Sequence, residues 1–190
     1  MTPARAVSRA AALAIALLGG LAGASAFAQD GPIPAGRGIE WGVSAGYGVP
    51  VRAPSRPSDE SELAFLASAG FRVNRRLEYV AEADGFGFLH PGGYYVGLMP
   101  LGGRLSVGNG PLLPFASVGL GFGWTDLVEL EEISRRFNFQ VQVGIGIRGA
   151  VTDTTGWTTE LRILHISNAG TVYPNRGLNS LLVLGGFRFR

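Results

Sequence analysis

Hydrophobic and polar residues alternate along most of this chain. The clearest case is the segment 137–148, in which the odd positions are all apolar and the even positions are polar or glycine. A period of two predicts a β-strand with one apolar face. This segment is longer than the five or six residues typical of strands in soluble sheets, and it is long enough for the ~9–11 residues that cross a bilayer as a strand.

Seven further segments alternate less regularly and also predict strands. In the last of them, Phe187 and Phe189 share one face, while Arg188 and Arg190 lie on the other. The total of eight strands is an even number, as in outer-membrane barrels, and it is the smallest number of strands found in such barrels. The additional predicted strands are 38–49, 62–73, 77–88, 94–107, 113–125, 157–167 and 179–190.

The connections between these strands differ in length from one end to the other. Short turns at one end and longer loops at the other are typical of an outer-membrane barrel. We therefore predict an all-β fold, an eight-stranded antiparallel transmembrane β-barrel, with odd-to-even connections outside the cell. The alternative is a soluble β-sandwich or lipocalin-like barrel with the apolar face inward. The short turns are 74–76, 108–111 and 153–156, the long loops are 50–61, 125–136 and 168–178, and the short 89–93 is an exception.

Composition supports a membrane protein that lacks a membrane-spanning helix. Charged residues make up 16% of the chain, against about 25% in typical soluble domains. Beyond the N-terminus there is no apolar run of the ~18 residues that a spanning helix needs. The chain has no cysteine, which excludes disulfides, thiolate metal sites and cysteine nucleophiles.

The N-terminal segment 1–28 has the features of a secretory signal peptide. Arg5 and Arg9 precede an apolar stretch from Ala10 to Ala22, and 26–28 is an Ala-x-Ala cleavage site. The alternative is an uncleaved anchor helix. Cleavage would leave a single domain, 29–190, in which arginines and acidic residues are equal in number. An exported chain without net charge gives no basis for nucleic-acid binding.

A candidate catalytic group lies where the seventh predicted strand ends. His165 and Ser167 are two residues apart, so in a strand they share a face at ~6.6 Å along the chain. A hydroxyl beside an imidazole is the pattern of an activated nucleophile. The alternative is that His165 is an interfacial residue in the headgroup zone.

Metal and cofactor chemistry is not indicated by the sequence. No histidine, aspartate and glutamate residues are spaced as metal ligands, so we predict neither a metal nor a cofactor. His90 lies in the short loop 89–93 with no potential metal-binding partner nearby in sequence, and we interpret its side chain as solvated.

The stretch His165-x-Ser167-Asn168-Ala169, followed by Asn175-x-Gly177, resembles the signature of the lipid A 3-O-deacylases, the PagL-type acyloxyacyl hydrolases. The resemblance implies an eight-stranded outer-membrane barrel with its site on the outside wall. It also implies a Ser–His–Glu triad that hydrolyses the 3-position acyl ester of lipid A.

The resemblance also assigns roles to individual residues. It makes Ser167 the nucleophile and His165 the general base. Asn168 and nearby backbone amides, such as that of Gly170, become the candidate oxyanion hole. Asn175 and Gly177 belong to the same signature and are expected to shape the loop beside the site.

One residue departs from the family pattern. The triad glutamate falls, by spacing, at Asn179, which shares the face of His165 and lies across the predicted hairpin from it. The amide of Asn179 can orient an imidazole but cannot stabilise an imidazolium as a carboxylate does. We therefore expect weaker activity or a different rate-limiting step. The nearest carboxylates in sequence are Glu160, on the opposite face, and those of the loop 125–136, which is the third odd-to-even connection and is here called the third loop. The carboxylates of the third loop are Asp126, Glu129, Glu131 and Glu132.

Two functions follow from this reasoning. The first is a lipid A deacylase whose partners are lipopolysaccharide and outer-membrane lipids, and a homodimer is compatible with the sequence. The second is a non-catalytic barrel with a structural or adhesive role carried by loops 50–61 and 125–136, and Asn179 is its main support. A pore is disfavoured, because eight strands leave an interior that side chains fill.

Overall fold

The computed structural model describes residues 38–51, 61–89, 92–128, 133, 135–173 and 175–190. The predicted signal peptide, His90 and most of the loop 50–61 lie outside these residues. The described chain forms eight strands, each within two residues of its predicted bounds. They are β1 (Glu40–Pro50), β2 (Glu62–Arg72), β3 (Leu77–Phe88), β4 (Gly93–Ser106), β5 (Leu112–Thr125), β6 (Phe137–Ala150), β7 (Thr155–Ser167) and β8 (Leu178–Phe189).

The eight strands form a closed antiparallel barrel. Each strand pairs with the next in sequence, and β1 pairs with β8 through a register that places Trp41 opposite Phe189. Closure gives every strand two neighbours, so no sheet edge is left with unpaired backbone groups. The predicted all-β barrel is confirmed. No helix in the described part of the chain is long and apolar enough to cross a membrane.

The apolar face of each strand points outward. In β6, Ile145 is 63% exposed, whereas Gln140 and Gln142 on the alternate positions are 1% and 2% exposed. Trp41 and Val43 of β1 follow the same rule. A soluble barrel would bury its apolar residues inside, so the outward apolar face favours the membrane barrel over the soluble alternative.

In strand β4, the side chains that point outward change from even-numbered to odd-numbered positions. Its register with β5 shifts between Leu98 and Leu101, and both of these leucines are exposed while Met99 between them is buried. A bulge inserts an extra residue into one strand of a pair and moves the following side chains to the other face. The alternation of the sequence does not show this shift.

The interior is polar in the half nearer the short turns. Arg162 lies 2.5 Å from Glu82 and 2.9 Å from Glu160, and Arg148 lies 2.8 Å from Glu78. Two cavities among these side chains have volumes of about 10 Å³ each, which is room for about one water molecule. Side chains therefore fill this part of the barrel, as predicted for eight strands.

The opposite end of the barrel, which carries the connections after β1, β3, β5 and β7, is here called the loop rim. The interior below the loop rim is apolar. Its buried residues pack as one cluster, in which side chains of β7 and β8 meet those of β2, β3, β4 and the third loop. The cluster consists of Ala64, Leu66, Phe86, Phe88, Tyr95, Leu127, Ile133, Leu164, Ile166, Leu178, Leu182 and Leu184.

The buried ion network gives a test of the fold. Arg162→Ala leaves Glu82 and Glu160 without their cation, and an uncompensated buried charge costs about 3–5 kcal/mol. We expect a loss of that size in the free energy of unfolding, measured by guanidinium titration in detergent with tryptophan fluorescence.

The control is Arg76→Ala, which removes an exposed side chain at a short turn and should change stability by less than about 0.5 kcal/mol. A similarly small effect of Arg162→Ala would contradict this account of the interior.

Candidate active site

His165 makes two hydrogen bonds that join the three predicted catalytic residues. Its Nδ1 lies 2.8 Å from Asn179 Oδ1, and its Nε2 lies 3.1 Å from Ser167 Oγ. An amide oxygen only accepts, so Nδ1–H donates to Asn179 and Nε2 is left as an acceptor. The Ser167 hydroxyl then donates to Nε2. This is the arrangement in which an imidazole can remove the proton of a serine hydroxyl.

Strand pairing brings these residues together. His165 is directly opposite Asn179 in the β7–β8 ladder, where opposed Cβ atoms are about 4.5–5.5 Å apart. Ser167 is the last residue of β7 and lies on the same outward face as His165. All three side chains are partly exposed, so the group stands on the outer wall at the loop rim.

Gly177 packs directly against the imidazole. Its φ is +72°, and a Cβ at this position would lie 2.5 Å from Cε1 of His165. Both the backbone conformation and the close approach require glycine here. The sequence singled out Gly177 as part of the signature, and the structure supplies this physical reason.

The N–H groups predicted for the oxyanion hole are hydrogen-bonded to other atoms of the loops. Asn168 is buried, and its Nδ2 donates to the carbonyls of Ile133 at 3.2 Å and Val172 at 3.1 Å. Its Oδ1 accepts the N–H of Gly170 at 2.9 Å. In this arrangement neither Asn168 nor Gly170 offers its donor to an oxyanion. Because its polar atoms bind within the loops, the Asn168 side chain shapes the turn after Ser167.

The turn after Ser167 has an unusual backbone. In the described part of the chain, Ala169 is the only non-glycine residue with a positive φ, which is 54°. Gly170 follows with a φ of 78°. Asn175 holds the start of the turn, because its Oδ1 accepts the N–H of Asn168 at 3.1 Å. A strained, over-determined backbone is common beside reactive groups. Residue types alone did not reveal this strain.

The third loop packs onto the β7–β8 connection. The carbonyl of the fully buried Ile133 accepts from Asn168, and Nη1 of Arg135 donates to Oγ1 of Thr171 at 3.3 Å. The carbonyl of Arg135 accepts from Nδ2 of Asn138 in β6 at 2.6 Å. Sequence reasoning missed these contacts, because loop-to-loop contacts leave no periodic signal.

No carboxylate among the described residues hydrogen-bonds His165. Glu160 points inward and bonds Ser117 and Arg162. Asp126 accepts the N–H of Tyr94 at 2.7 Å, and the other three carboxylates of the third loop lie outside the described residues. Asn179 is therefore the acceptor on Nδ1. In the parts of the chain that the structure describes, no cluster of His, Asp and Glu could hold a metal ion.

The surface around Ser167 on the outer wall is aromatic. Phe139 of β6 is directly opposite Ser167, and the rings of Phe137 and Phe139 are 5.3 Å apart. Trp124 packs 5.3 Å from Phe137 in an edge-on arrangement, and Phe122 completes the group. These rings give Ser167 an apolar border on the β6 side.

The sequence matches a family model over residues 39–188, and that model describes lipid A 3-O-deacylase (PagL). No curated protein matches the sequence.

Solved structures share the fold. The structure of the outer membrane enzyme PagL has a TM-score of 0.59 at 16% identity and covers 80% of this chain and 99% of its own. Neisserial surface protein A has a TM-score of 0.59 at 17% identity, with coverage of 80% and 96%. Identities this low show a common barrel and nothing about activity.

The contact between Gly177 and His165 can be tested directly. Gly177→Ala should displace the imidazole from Asn179 or Ser167, because the new Cβ overlaps Cε1. A crystal structure of the variant should show at least one of the two hydrogen bonds lengthened beyond about 3.5 Å, the usual limit for a hydrogen bond.

Gly170→Ala is the matched control. Gly170 also has positive φ, but its added Cβ would have no neighbour within 4 Å. It shares the backbone strain of Gly177→Ala without the contact, so the His165 bonds should stay intact. An undisturbed imidazole in Gly177→Ala would show that this contact does not position His165.

Proposed function

Because this chain belongs to the lipid A 3-O-deacylase family, a family of the bacterial outer membrane, we propose that it is a serine esterase. Its substrate is the acyl ester at the 3-position of lipid A in the outer leaflet. The observation that carries the proposal is the pair of hydrogen bonds that link Ser167, His165 and Asn179 on the outer wall.

The proposed reaction has two steps. In the first, Nε2 of His165 takes the proton of Ser167 as Oγ attacks the ester carbonyl, and the protonated imidazole returns it to the departing sugar hydroxyl. In the second, water attacks the acyl-serine, again with His165 as the base. The products are a hydroxy fatty acid and lipid A with a free 3-hydroxyl. Neither step requires a metal or a cofactor.

The tetrahedral intermediate needs N–H donors near its oxyanion, commonly the largest catalytic term. We keep the turn 168–170 as their source, because it follows the nucleophile directly. The N–H of Gly170 now bonds Oδ1 of Asn168, so it has to exchange that partner for the substrate oxygen. Catalytic hydrogen bonds often form fully only once substrate is bound.

The position of the group fits an ester at the membrane boundary. Ser167 is at the loop rim, with polar loops on one side and the apolar wall of the barrel on the other. An ester between a sugar and an acyl chain lies at the same boundary in a bilayer. The aromatic residues Phe137 and Phe139 beside Ser167 would lie against the acyl chain.

Asn179 is the feature that favours the second candidate, a non-catalytic barrel. A neutral amide holds the Nδ1 proton in place but gives the imidazolium less stabilisation than a carboxylate would. A barrel without catalysis also accounts for the fold, since one structural neighbour is described as a surface protein. The intact hydrogen bonds to His165 favour the esterase.

The nucleophile is tested by Ser167→Ala. Cells producing the native protein should lose the 3-linked acyl chain from lipid A, and the variant should lower that activity at least about a thousandfold, as expected when a serine nucleophile is removed. Mass spectrometry of extracted lipid A measures both. The matched control is Ser68→Ala on β2, which should behave as native. Lipid A that keeps its 3-linked chain with the native protein present would exclude the proposed activity.

The role of Asn179, the third residue of the proposed catalytic group, is tested by two substitutions. Asn179→Ala removes the acceptor that fixes the imidazole tautomer, and we expect the rate of acyl release to fall about a hundredfold or more. Asn179→Asp keeps the shape and adds a charge that stabilises the imidazolium. We expect it to raise the rate about tenfold, since hydrogen bonds to ionised groups are about twice as strong.

Acyl release by the purified variants in detergent gives these rates. If Asn179→Ala and the native protein have equal rates, Asn179 has no part in the reaction.

A further inference from the structure

Arg135 stands at the loop rim beside the proposed nucleophile. Its side chain is exposed, and Nη1 donates to the neutral hydroxyl of Thr171. Among the described residues, no carboxylate pairs with it. Its positive charge is therefore not neutralised by this part of the chain, and a planar guanidinium retains further donors.

Hydrogen bonds fix Arg135 relative to Ser167 from two directions. Oγ1 of Thr171 accepts from Arg135 and donates to the carbonyl of Asn168 at 2.9 Å, and Asn168 directly follows the nucleophile. The backbone of Arg135 is held by Asn138 at the start of β6. A cation that is tied to the turn carrying the nucleophile is suited to hold a substrate in position.

The chemistry of the proposed substrate supplies a partner for this cation. Lipid A is a phosphorylated glucosamine disaccharide, so its sugars and phosphates lie on the polar side of the ester. Arg135 is on that same side, beyond the end of the apolar wall. Arginine binds phosphate through parallel hydrogen bonds and remains charged at any physiological pH.

We propose that Arg135 binds a phosphate group of the lipid A headgroup and so places the 3-position ester at Ser167. This rests on the proposed function. Arg135 is a substrate-binding residue in this account, and it takes no part in proton transfer.

The test compares two substrates with purified full-length protein in detergent. Arg135→Gln should lower kcat/KM for release of the acyl chain from bisphosphorylated lipid A about tenfold, mainly through KM, as expected for loss of charge-assisted hydrogen bonds. On chemically dephosphorylated lipid A the variant and the native protein should differ less than about twofold. Arg135→Lys should lie between the two on the phosphorylated substrate, since lysine keeps the charge without the planar fork.

Arg136→Gln and Arg76→Gln are the matched controls. Arg136 is an exposed neighbour at the same rim, and Arg76 is exposed at a short turn on the opposite end; neither should have the effect of Arg135→Gln. An equal loss on both substrates would show that Arg135 supports only the loop. An equal loss in Arg136→Gln would show a general effect of rim charge. Either result would overturn the proposal.

A binding measurement separates this proposal from the proposed function. Native mass spectrometry of Ser167→Ala with each lipid, alone and combined with Arg135→Gln, needs no turnover. Binding that depends on both phosphate and Arg135 supports the headgroup site even if the native protein releases no acyl chain. Binding that is the same with and without phosphate contradicts it.

Discussion

The site depends on one constraint: in a closed barrel a side chain on the lipid face can reach only neighbours on the same face. His165 therefore finds its partners two residues along β7, at Ser167, and directly across the ladder, at Asn179. Glu160, on the interior face of the same strand, instead bonds Ser117 and Arg162. The alternation of the strand thus selects the members of the group, and the register of one hairpin sets their distances.

This arrangement needs a rigid hairpin, and the two halves of the interior contribute to it differently. Near the short turns, buried ion pairs around Arg162 fill the barrel. Below the loop rim, Leu164, Ile166 and Leu178 pack into an apolar cluster. These residues occupy the inward positions next to His165 and Ser167. Burial on one face of the hairpin therefore holds His165, Ser167 and Asn179 in place on the other.

Much of the fold and the central group could be predicted from the sequence. Period-two alternation located eight strands and their apolar faces, and the same parity placed His165 and Ser167 on one face. Asn179 was identified through the resemblance to the family, and the parity of its strand is consistent with that position. The bulge between Leu98 and Leu101 was not predicted, because adjacent apolar residues are compatible with either parity.

The loops were less predictable than the strands. Asn168 is the type of residue that an oxyanion hole uses, yet its amide is bound to the carbonyls of Ile133 and Val172. The contact of Asn168 with Ile133, and the one between Arg135 and Thr171, join segments more than thirty residues apart. Such contacts depend on how two loops pack above the barrel, and no local pattern encodes them. The conformation after Ser167, with its strained Ala169, is set by the same packing.

The central claim is that His165 activates Ser167 on the outer wall, and covalent labelling tests it most directly. A fluorophosphonate reacts with activated serine hydroxyls and leaves a stable adduct that peptide mass spectrometry can locate. We predict one adduct, on Ser167, in the native protein in detergent, and labelling at least about a hundredfold slower in His165→Ala, which lacks the general base. No adduct on Ser167, or equal labelling of both proteins, would contradict the account.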